Sequence, residues 1–420
     1  MSIFIIDAVR SPRAHGNGKS SLKSLSPVEL ASQILQKLAP PLAEIALDDL
    51  IIGCATQFGE QGSNLARLIG IAAGLPDEVP ALTINRACCS GLSAVILAAA
   101  KLTANAAMAG SAENVPGVAL AGGVEMMSRV PMASDQGSLF FDHAFNQKHG
   151  IFPLGIAADA IATQFGFTRA ACDAYAARSQ QRAAHARAQG WLTGITPVYG
   201  AAGELLLTQD EAIRPGNTAG HLATLATAFA ELGSRATPAP DNTDSSHSTS
   251  IDAQIATRLG LKTIEHVHHA GNSPIGADAA AFVLLASENA ALRQQWQPRA
   301  RIVSFAECGI NRSLALTGAV DASRMALARA GLQVADIDLF EVNEAFAAVM
   351  LHYQQAMHIN SERLNVNGGT LAFGHAMGAT GAILTGLALD ELERRQAKRA
   401  LIAISGAAGL ASALIIERVV

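Results

Sequence analysis

The chain has 420 residues, of which 50% are apolar, 15% are charged and 5% are aromatic. This composition excludes a disordered chain and suggests two or three domains with cores of small aliphatic side chains. A formal net charge of −5 gives no basic footprint for nucleic acid or an anionic membrane, and five cysteines are too few for a disulfide framework. We therefore expect a soluble protein of a reducing compartment, the cytoplasm.

The first part of the chain alternates short apolar runs with helical periodicity. Residues 3–6 predict a buried strand, and Ala81–Ile84 predicts another. After Ser90 the apolar residues fall on one face of a helix. Alternation of this kind is typical of a layered α/β fold with parallel strands.

The middle of the chain differs in composition from both ends. It contains an amphipathic helix predicted over residues 169–189 and a polar tract at 237–250 that predicts a surface loop. We predict an N-terminal half formed by residues 1–119 and 263–292, an inserted region at 120–262, and a C-terminal half at 293–420.

The last part repeats the alternation of the first. Leu339–Val342 predicts a strand that leads to a helix near Glu344, and residues 364–366 predict a strand before another helix. Residues 401–416 are uncharged but too short to span a membrane, and we interpret them as two buried strands around a tight loop. The similar order of elements suggests an internally duplicated fold.

Three short motifs at predicted strand-to-helix junctions could carry chemistry. Cys88 lies in NRACCSG at 85–91, where a helix N-terminus would lower its thiol pKa and a sharp turn would expose it. His375 lies in GHAMGATG at 374–381 and is placed to act as a general base or to bind a carbonyl oxygen. Asn343 could orient a water molecule or bind an oxyanion. The alternatives are inert buried cysteines, a loop histidine and a helix-capping asparagine.

Three histidines close together raise the question of a metal site. They are His266, His268 and His269. No cysteine or carboxylate at ligand spacing completes such a set, so we predict no metal and interpret them as part of a strand that leads into the Asn272 loop.

The order Cys, Asn, His, each at the carboxyl end of a predicted strand, resembles the thiolase family, enzymes that cleave or form 3-oxoacyl-CoA by Claisen chemistry. The resemblance covers nearly the whole chain. It includes residues 7–12 (DAVRSP), 57–67, 121–128 (AGGVEMMS), Asp210 and Glu211 with Arg214 and Thr218, 270–272 (AGN) and 365–369 (NVNGG).

This resemblance implies a fold and a role for each candidate residue. The fold would be α/β, a duplicated thiolase fold with five layers, α-β-α-β-α, and an inserted loop domain. Cys88 would be the acylated nucleophile, His375 would activate it and bind the thioester oxygen, and Asn343 would hold the water that completes an oxyanion hole. Arg214 matches the arginine that contacts coenzyme A. The resemblance implies coenzyme A as a substrate, no tightly bound cofactor, and a homodimer or homotetramer.

Several positions depart from the family pattern. Ser405 stands where the family has a second catalytic cysteine, which moves the proton at the substrate α-carbon. Because a hydroxyl is a far weaker acid than a thiol, we expect Ser405 to be a poor proton shuttle unless it is activated. The other departures are Ala376 for a proline, Pro274 for a serine, Pro153 and Leu154 for a His-Met or Ser-Met pair, and a longer linker at 237–263.

The leading prediction is an acyl-CoA C-acyltransferase that works through an acyl-cysteine on Cys88. One alternative is a decarboxylative Claisen-condensing enzyme, similar to a ketosynthase, which uses a Cys-His-Asn set and needs no base at the α-carbon. The second alternative is a catalytically impaired thiolase-fold subunit that binds a partner or an acyl-CoA.

Overall fold

The computed structural model describes residues 2–42, 45–109, 117–237 and 249–419, and most of the predicted loop at 237–250 lies outside these residues. The strands in the described ranges are β1 Ile3–Arg10, β2 Ala14–His15, β3 Asp49–Gly53, β4 Ala81–Ile84, β5 Val118–Met126, β6 Val198–Tyr199, β7 Leu205–Leu207, β8 Ala236–Thr237, β9 Thr249–Ser250, β10 Ala277–Ser287, β11 Ala300–Gly309, β12 Leu339–Val342, β13 Arg399–Ser405 and β14 Leu410–Arg418. The helices are α1 Pro27–Leu35, α2 Leu65–Ala72, α3 Ser90–Ala109, α4 Ser138–Phe141, α5 His143–His149, α6 Leu154–Phe165, α7 Arg169–Ala188, α8 Ala219–Leu222, α9 Ala230–Ser234, α10 Ile251–Leu259, α11 Glu288–Arg293, α12 Ala319–Ala330, α13 Ala347–Ala356, α14 Thr370–Phe373 and α15 Met377–Arg395.

The main sheet shows the predicted duplication directly. Its strand order is β12-β13-β14-β11-β1-β10-β5-β3-β4, with β2 beside β10. In the first half, β1, β10 and β5 pair antiparallel, and β5, β3 and β4 pair parallel. The second half repeats this pattern with β11, β14 and β13 antiparallel and β13 and β12 parallel. The sheet is therefore mixed, and the prediction of parallel strands holds only for the outer strands of each half.

The strand predicted at 364–366 is wrong. Only Leu364 forms a parallel bridge, to Phe340 on β12, in the place that β4 takes in the first half. The side chain of Asn365 replaces the missing strand, because its Oδ1 accepts from Val342 N–H at 2.8 Å and its Nδ2 donates to Val342 O at 2.8 Å. At φ 45°, Asn365 also has a left-handed backbone that an extended strand does not adopt.

Alternation along the strands builds the five predicted layers. Ile51 on β3 and Ile402 on β13 both pack into one central core with α3 and α15. The neighbours of Ile51 on β3 instead face α1 and α2, and the neighbours of Ile402 on β13 face α12 and α13. Because successive side chains of a strand point to opposite faces, each half of the sheet is covered on both sides. The α-β-α-β-α order is confirmed.

The two central helices touch at their N-terminal ends. A Cβ added at Gly91 of α3 would lie 2.4 Å from the carbonyl oxygen of Gly378 on α15. A Cβ added at Gly381 would lie 2.0 Å from the backbone nitrogen of Leu92. Only glycine allows backbones to approach this closely, so these residues bring the starts of the two helices together.

One of these helices also lies in the single helical stretch, among the described residues, that passes a length and composition test for a membrane span without a bend. By length and composition the stretch Ala87–Met108 could cross a membrane. In the structure 67% of its most apolar window is buried, and α3 packs between the two halves of the sheet. It is a core helix of the fold.

Other boundaries differ from prediction by small amounts. Strand β5 crosses the predicted division at 119/120, and the division into domains remains a prediction. The predicted helix near Glu344 begins at Ala347 instead. The predicted strands at 3–6 and within 401–416, and the helix at 169–189, are confirmed to within a few residues.

Candidate active site

Cys88 lies in a compact turn between β4 and α3. Ala87 has a φ of 47°, and Ser90 closes the turn because its Oγ donates to Ala87 O at 2.6 Å and accepts from Arg86 N–H at 2.8 Å. The sharp turn predicted from the motif is confirmed, but the prediction that it exposes the thiol is wrong, because Cys88 is buried. Cys88 is 8% exposed, whereas its neighbour Cys89 is fully buried.

His375 lies two residues before α15 and is held by a backbone and a side-chain hydrogen bond. Its backbone N–H donates to Ile275 O at 2.8 Å, and its Nδ1 lies 2.8 Å from Thr380 Oγ1. Its Nε2 is buried and has no hydrogen-bond partner among the described residues. Burial, and secondarily the Arg13 charge, lowers the pKa of His375 to about 4. The imidazole is therefore neutral, with one ring nitrogen free to exchange a proton.

The helix contact brings Cys88 and His375 to the same place. Cys88 precedes Gly91 by three residues, and His375 precedes Gly378 by three residues. These two glycines are in backbone contact. The loop between β13 and β14 also lies beside the thiol, since the backbone N–H of Ala407 acts to lower the pKa of Cys88. Three segments that are far apart in sequence thus meet around one thiol.

The prediction of a lowered Cys88 pKa is wrong for the free enzyme. Burial, and then the negative charge of Glu125, raises the pKa of the Cys88 thiol to about 11. The backbone N–H groups of Ala407 and Cys88 favour the thiolate, but the loss of water around the sulfur outweighs them. The resting site therefore holds a thiol and a neutral imidazole.

Glu125 on β5 is a residue of the site that sequence reasoning missed. Its carboxylate is fully buried and accepts from four N–H groups at 2.9–3.2 Å, those of Ala55, Thr56, Gln61 and Gly378. It thus ties the loop after β3 to the start of α15. The signal was present as a single charged residue in the apolar segment 121–128, but only the fold shows what surrounds it.

Asn343 follows β12 and is fixed by one of its two amide atoms. Its Oδ1 accepts from Thr370 Oγ1 at 3.0 Å, and its Nδ2 is buried without a partner among the described residues. The helix-capping alternative is wrong, because Phe346 is the N-cap of α13. A free amide N–H in this position is suited to hold a water molecule or an oxyanion.

The residue after Asn343 holds its loop in place. The buried carboxylate of Glu344 accepts hydrogen bonds from Tyr175 Oη at 3.0 Å, Ser179 Oγ at 2.7 Å, Asn365 Nδ2 at 3.1 Å and Leu371 N at 3.0 Å. Tyr175 and Ser179 lie on α7 and Leu371 lies on α14. Asn365 follows Leu364, the residue that forms the bridge to β12. Because α14 leads directly to His375, the same network positions Asn343 and His375 together.

Ser405 ends β13 close to the cysteines, but its hydroxyl is engaged elsewhere. Its Oγ accepts from Ala319 N–H at 2.9 Å, at the first residue of α12. The loop that follows packs on the cysteine pair, since a Cβ added at Gly406 would lie 3.2 Å from Cys89 Sγ. In that loop Ala408 has a φ of 56°, in the left-handed region that favours glycine.

Arg214 lies away from these residues, on the surface of the inserted region. The motif that contains it is anchored at Asp210, which pairs bidentately with Arg10 at 2.8 and 2.9 Å. The backbone N–H of Arg214 donates to Gln180 Oε1 at 2.7 Å. Across the described ranges no hydrogen bond or ion pair engages its guanidinium, which is exposed to solvent.

The three histidines before the Asn272 loop form no strand, and each contacts an aspartate. Asp159 lies 2.7 Å from a ring nitrogen of both His266 and His268. His266 also contacts Asp252 on α10 at 3.0 Å, and His269 contacts Asp173 at 2.7 Å. Carboxylates on α6, α7 and α10 thus hold this segment, which explains why the polar side chains of His268 and His269 can be fully buried.

A cavity of about 430 Å³ opens beside the Ala407 loop. Apart from Ala407 and Ala408, its walls come from the inserted region. Its other lining residues are Leu139, Phe140, His143, Asn146, Gln147, Ile151, Phe152, Pro153, Leu154, Leu232, Arg235, Ala236, Thr237, Ile251 and Gln254. The cavity is therefore mostly apolar, with a few amides and two basic side chains.

Known proteins share both the sequence and the fold of this chain. The model of the thiolase N-terminal domain matches residues 3–246, and the model of the thiolase C-terminal domain matches residues 296–418. A 3-ketoacyl-CoA thiolase of Bacillus subtilis is 34% identical over an alignment of 427 positions, gaps included, that covers 98% of each chain. A beta-ketoadipyl-CoA thiolase of Pseudomonas aeruginosa is 34% identical over an alignment of 441 positions that covers 99% of each chain.

Solved structures agree. The acetyl-CoA acetyltransferase of Bacillus anthracis superposes with a TM-score of 0.79 at 29% identity, covering 100% of this chain and 99% of the other. A human mitochondrial 3-ketoacyl-CoA thiolase in complex with CoA superposes with a TM-score of 0.82 at 27% identity. The match covers 100% of this chain and 98% of the other. The chain belongs to the thiolase family of acyl-CoA C-acyltransferases.

Proposed function

We propose that the protein cleaves or forms 3-oxoacyl-CoA through an acyl group carried on Cys88. The observation that carries this proposal is the convergence of Cys88 and His375 at the glycine contact between α3 and α15, with Nε2 of His375 free. The names of the relatives, 3-ketoacyl-CoA thiolase and beta-ketoadipyl-CoA thiolase, support the same substrate class.

In the first half-reaction the Cys88 proton passes to Nε2 of His375 and the sulfur attacks the C3 carbonyl carbon. The C2–C3 bond then breaks, the acyl group stays on the sulfur, and acetyl-CoA leaves as its enolate, which takes up at C2 the proton that His375 received from Cys88. In the second half-reaction the thiol of coenzyme A gives its proton to His375 and attacks the acyl-cysteine. The shortened acyl-CoA leaves, and the proton on His375 returns to the Cys88 sulfur. His375 binds the thioester oxygen, and a water held by Asn343 Nδ2 completes the oxyanion hole.

We assign Arg214 to coenzyme A, which acts as a substrate. Its exposed guanidinium has no competing partner among the described residues and suits a phosphate or an adenine ring. No tightly bound cofactor is needed for this chemistry. The free cysteines at 54, 88, 89, 172 and 308 fit the reducing conditions of the cytoplasm.

We further propose that the enzyme is a homodimer, or a pair of such dimers, joined through β4. Among the described strands this one pairs with β3 alone and forms the edge of the main sheet. Leu82 on β4 is 43% exposed, and Leu68 and Ile71 on the adjacent α2 are 42% and 53% exposed. An apolar edge of this kind is stabilised when a second copy covers it.

The acyl-cysteine is tested by intact-mass measurement after incubation with acetyl-CoA and longer acyl-CoAs. The wild type should gain the mass of the acyl group, and Cys88→Ala should gain nothing. Cys89→Ala is the matched control and should still be acylated, because Cys89 is fully buried and its Sγ lies 3.5 Å from Ile404 O. An adduct that survives in Cys88→Ala but disappears in Cys89→Ala would place the nucleophile one residue later.

A further inference from the structure

We propose that Arg13 is a positioning residue of the reaction, whose guanidinium holds the segment that carries His375 and keeps the imidazole neutral. The inference rests on the proposed function, because it concerns the base that takes the Cys88 proton. It goes beyond that function by assigning a role to a buried cation that the reaction scheme does not use.

The guanidinium of Arg13 lies on the ring of Phe373. The distance from its Cζ atom to the ring centroid is 4.2 Å, well within the range of a cation–π contact. Phe373 is fully buried at the end of α14, and only Gly374 separates it from His375. A displacement of the ring under the guanidinium would therefore be transmitted to the imidazole.

The segments that carry Arg13 and His375 are also fixed to the same stretch of chain at the start of β10. Directly after Arg13, strand β2 pairs with β10 and places His15 opposite Ala277. The N–H of His375 donates to Ile275 O at 2.8 Å, and its carbonyl oxygen accepts from Ala277 N–H at 3.3 Å. A common strand thus holds the two segments in a constant relation to each other.

Asp210 holds Arg13 from the other side. Its Oδ1 accepts from the Arg13 backbone N–H at 2.7 Å and from Arg13 Nε at 3.4 Å. Ile213, three residues later, packs in one buried apolar cluster with Phe373. The segment that carries Arg214, which we assign to coenzyme A, therefore meets α14 at Arg13.

The anchor at Asp210 does not by itself explain a second buried arginine. Arg10 already pairs with both oxygens of that carboxylate, at 2.8 and 2.9 Å. Arg13 is 1% exposed, and its Nη2 is buried without a hydrogen-bond partner among the described residues. A buried cation and an unmet N–H both reduce stability, and such a cost is typical of a functional site.

The charge of Arg13 has a use at His375. Burial lowers the pKa of Arg13 to about 10, so the guanidinium is still charged at pH 7. A cation beside an imidazole disfavours the imidazolium, and after burial the Arg13 charge is the second cause of the low pKa of His375. The other ionisable groups on the segments around this pair, besides the Arg10–Asp210 pair, are acids, a thiol and an imidazole: His15, Cys88, Glu125, Asp278 and Glu341.

The electrostatic part is tested by NMR titration of the His375 imidazole, whose signal is assigned from its loss in His375→Gln. In Arg13→Met we expect the pKa of His375 to rise from about 4 by roughly 0.5–1 unit, because a positive charge is removed. Arg13→Lys keeps the charge and should keep the wild-type titration. Arg394→Met is the matched control, since its guanidinium also lies on an aromatic ring, that of Trp191 at 3.8 Å, but in the last turn of α15.

A purely structural role of Arg13 would give a different result. It would lower the Tm of Arg13→Met and leave the titration of His375 unchanged. That outcome would overturn the proposal.

The positioning part is tested on the full-length enzyme by the rate of Cys88 acylation with acetyl-CoA, followed by rapid quench and intact mass. Arg13→Met and Phe373→Leu should each slow acylation by roughly ten- to a hundred-fold at pH 7, because the base is misplaced. Their losses should not add in the double variant, since both remove the same contact. Trp191→Leu is the control and should react at the wild-type rate.

Wild-type acylation in Phe373→Leu would overturn the positioning role, even if Arg13→Met does not fold. Losses that add in full in the double variant would overturn it as well.

Failure of the proposed function has a signature of its own. In that case the wild type forms no adduct on Cys88 with any acyl-CoA, whereas the titration of His375 is measured without turnover. If Cys88 is acylated and His375 titrates alike in wild type and Arg13→Met, the function stands and the inference about Arg13 is wrong.

Discussion

At the scale of single residues, the site keeps its proton on sulfur until a substrate arrives. Burial raises the pKa of Cys88 to about 11 and lowers that of His375 to about 4, so both groups are neutral near pH 7. A neutral thiol in a buried site is protected from the oxidation that an exposed thiolate undergoes. It follows that attack depends on interactions made by the bound thioester, such as a hydrogen bond to its carbonyl oxygen.

Ser405→Cys should accelerate the step that makes or breaks the C–C bond. A thiol transfers protons more efficiently near neutral pH than a hydroxyl does, and the Ala319 N–H that now donates to Ser405 would favour a thiolate. We expect a gain of about ten- to a hundred-fold, which corresponds to about 1.4–2.7 kcal/mol of barrier. Stopped-flow measurement of both half-reactions tests this, and Ser405→Ala is the control that should give no gain.

The same experiment separates the two chemistries that the sequence left open. With malonyl-CoA, a decarboxylative enzyme would release CO₂ and form a C–C bond without a base at the α-carbon. If the wild type does so and Ser405→Cys gains nothing with acetyl-CoA, the decarboxylative mechanism is the correct one. If neither substrate reacts and Cys88 stays free, the chain is a binding subunit.

Glu125→Gln should destabilise the protein and change the reactivity of Cys88. Both carboxylate oxygens accept N–H groups, so an amide NH₂ in this position would face donors and leave at least one unpaired, at a cost of about 1–3 kcal/mol. Loss of the negative charge should also lower the pKa of Cys88. Thermal unfolding and iodoacetamide labelling across pH measure the two effects. The exposed Glu265→Gln should change neither, and an unaltered Tm in Glu125→Gln would contradict the first.

At the scale of elements, the histidine segment ties α10 to α6 in a way that depends on pH. Burial opposes the charge on His266, but hydrogen bonds to Asp159 and Asp252 outweigh it and raise its pKa above the ordinary 6.5. A raised pKa means that the contribution to stability is complete below about pH 6.5 and is lost as pH rises through the folded-state value. When His266 loses its proton, we expect its contact with Asp252 to break before its contact with Asp159, because Asp252 is the more exposed of the two carboxylates.

Hydrogen exchange of α10 should therefore become faster, after correction for intrinsic rates, as pH rises from 6 to 9. His266→Gln should remove this dependence, because a neutral side chain does not titrate. His358→Gln, which lies on the second half of the chain, is a suitable control and should behave as the wild type. Equal protection of α10 at both pH values in the wild type would show that His266 does not hold the helix.

Much of the element order could be predicted because periodicity follows burial. The apolar residues of β4, β12 and α3 follow the period of their own element. The positions predicted for these three elements from the sequence were therefore correct. Residues 364–366 have the same apolar pattern, but the strand was lost to a side-chain contact of Asn365 that no local rule contains. The roles of Glu125 and of the histidines were missed for the same reason, since their partners lie far away in sequence.

At the scale of the whole molecule, the edge strand β4 predicts the state of assembly. Light scattering at micromolar concentration should give the mass of a dimer or a tetramer for the wild type. Leu82→Lys places a charge on the apolar edge and should shift the mass toward a monomer. Met325→Lys changes an exposed apolar residue of α12 on the other half and should leave the mass unaltered. A monomeric wild type would contradict the proposed interface.

The glycine contact between α3 and α15 has a consequence for how such a chain can arise. The two helices occupy matching positions in two matching halves, so a dimer of identical single halves would present the same side chain from both sides of its twofold axis. It could hold two nucleophiles or two bases at that axis, but not one of each. Covalent fusion of the halves removes this restriction. The division of labour between Cys88 and His375 is therefore open only to a molecule whose pseudosymmetry is imperfect.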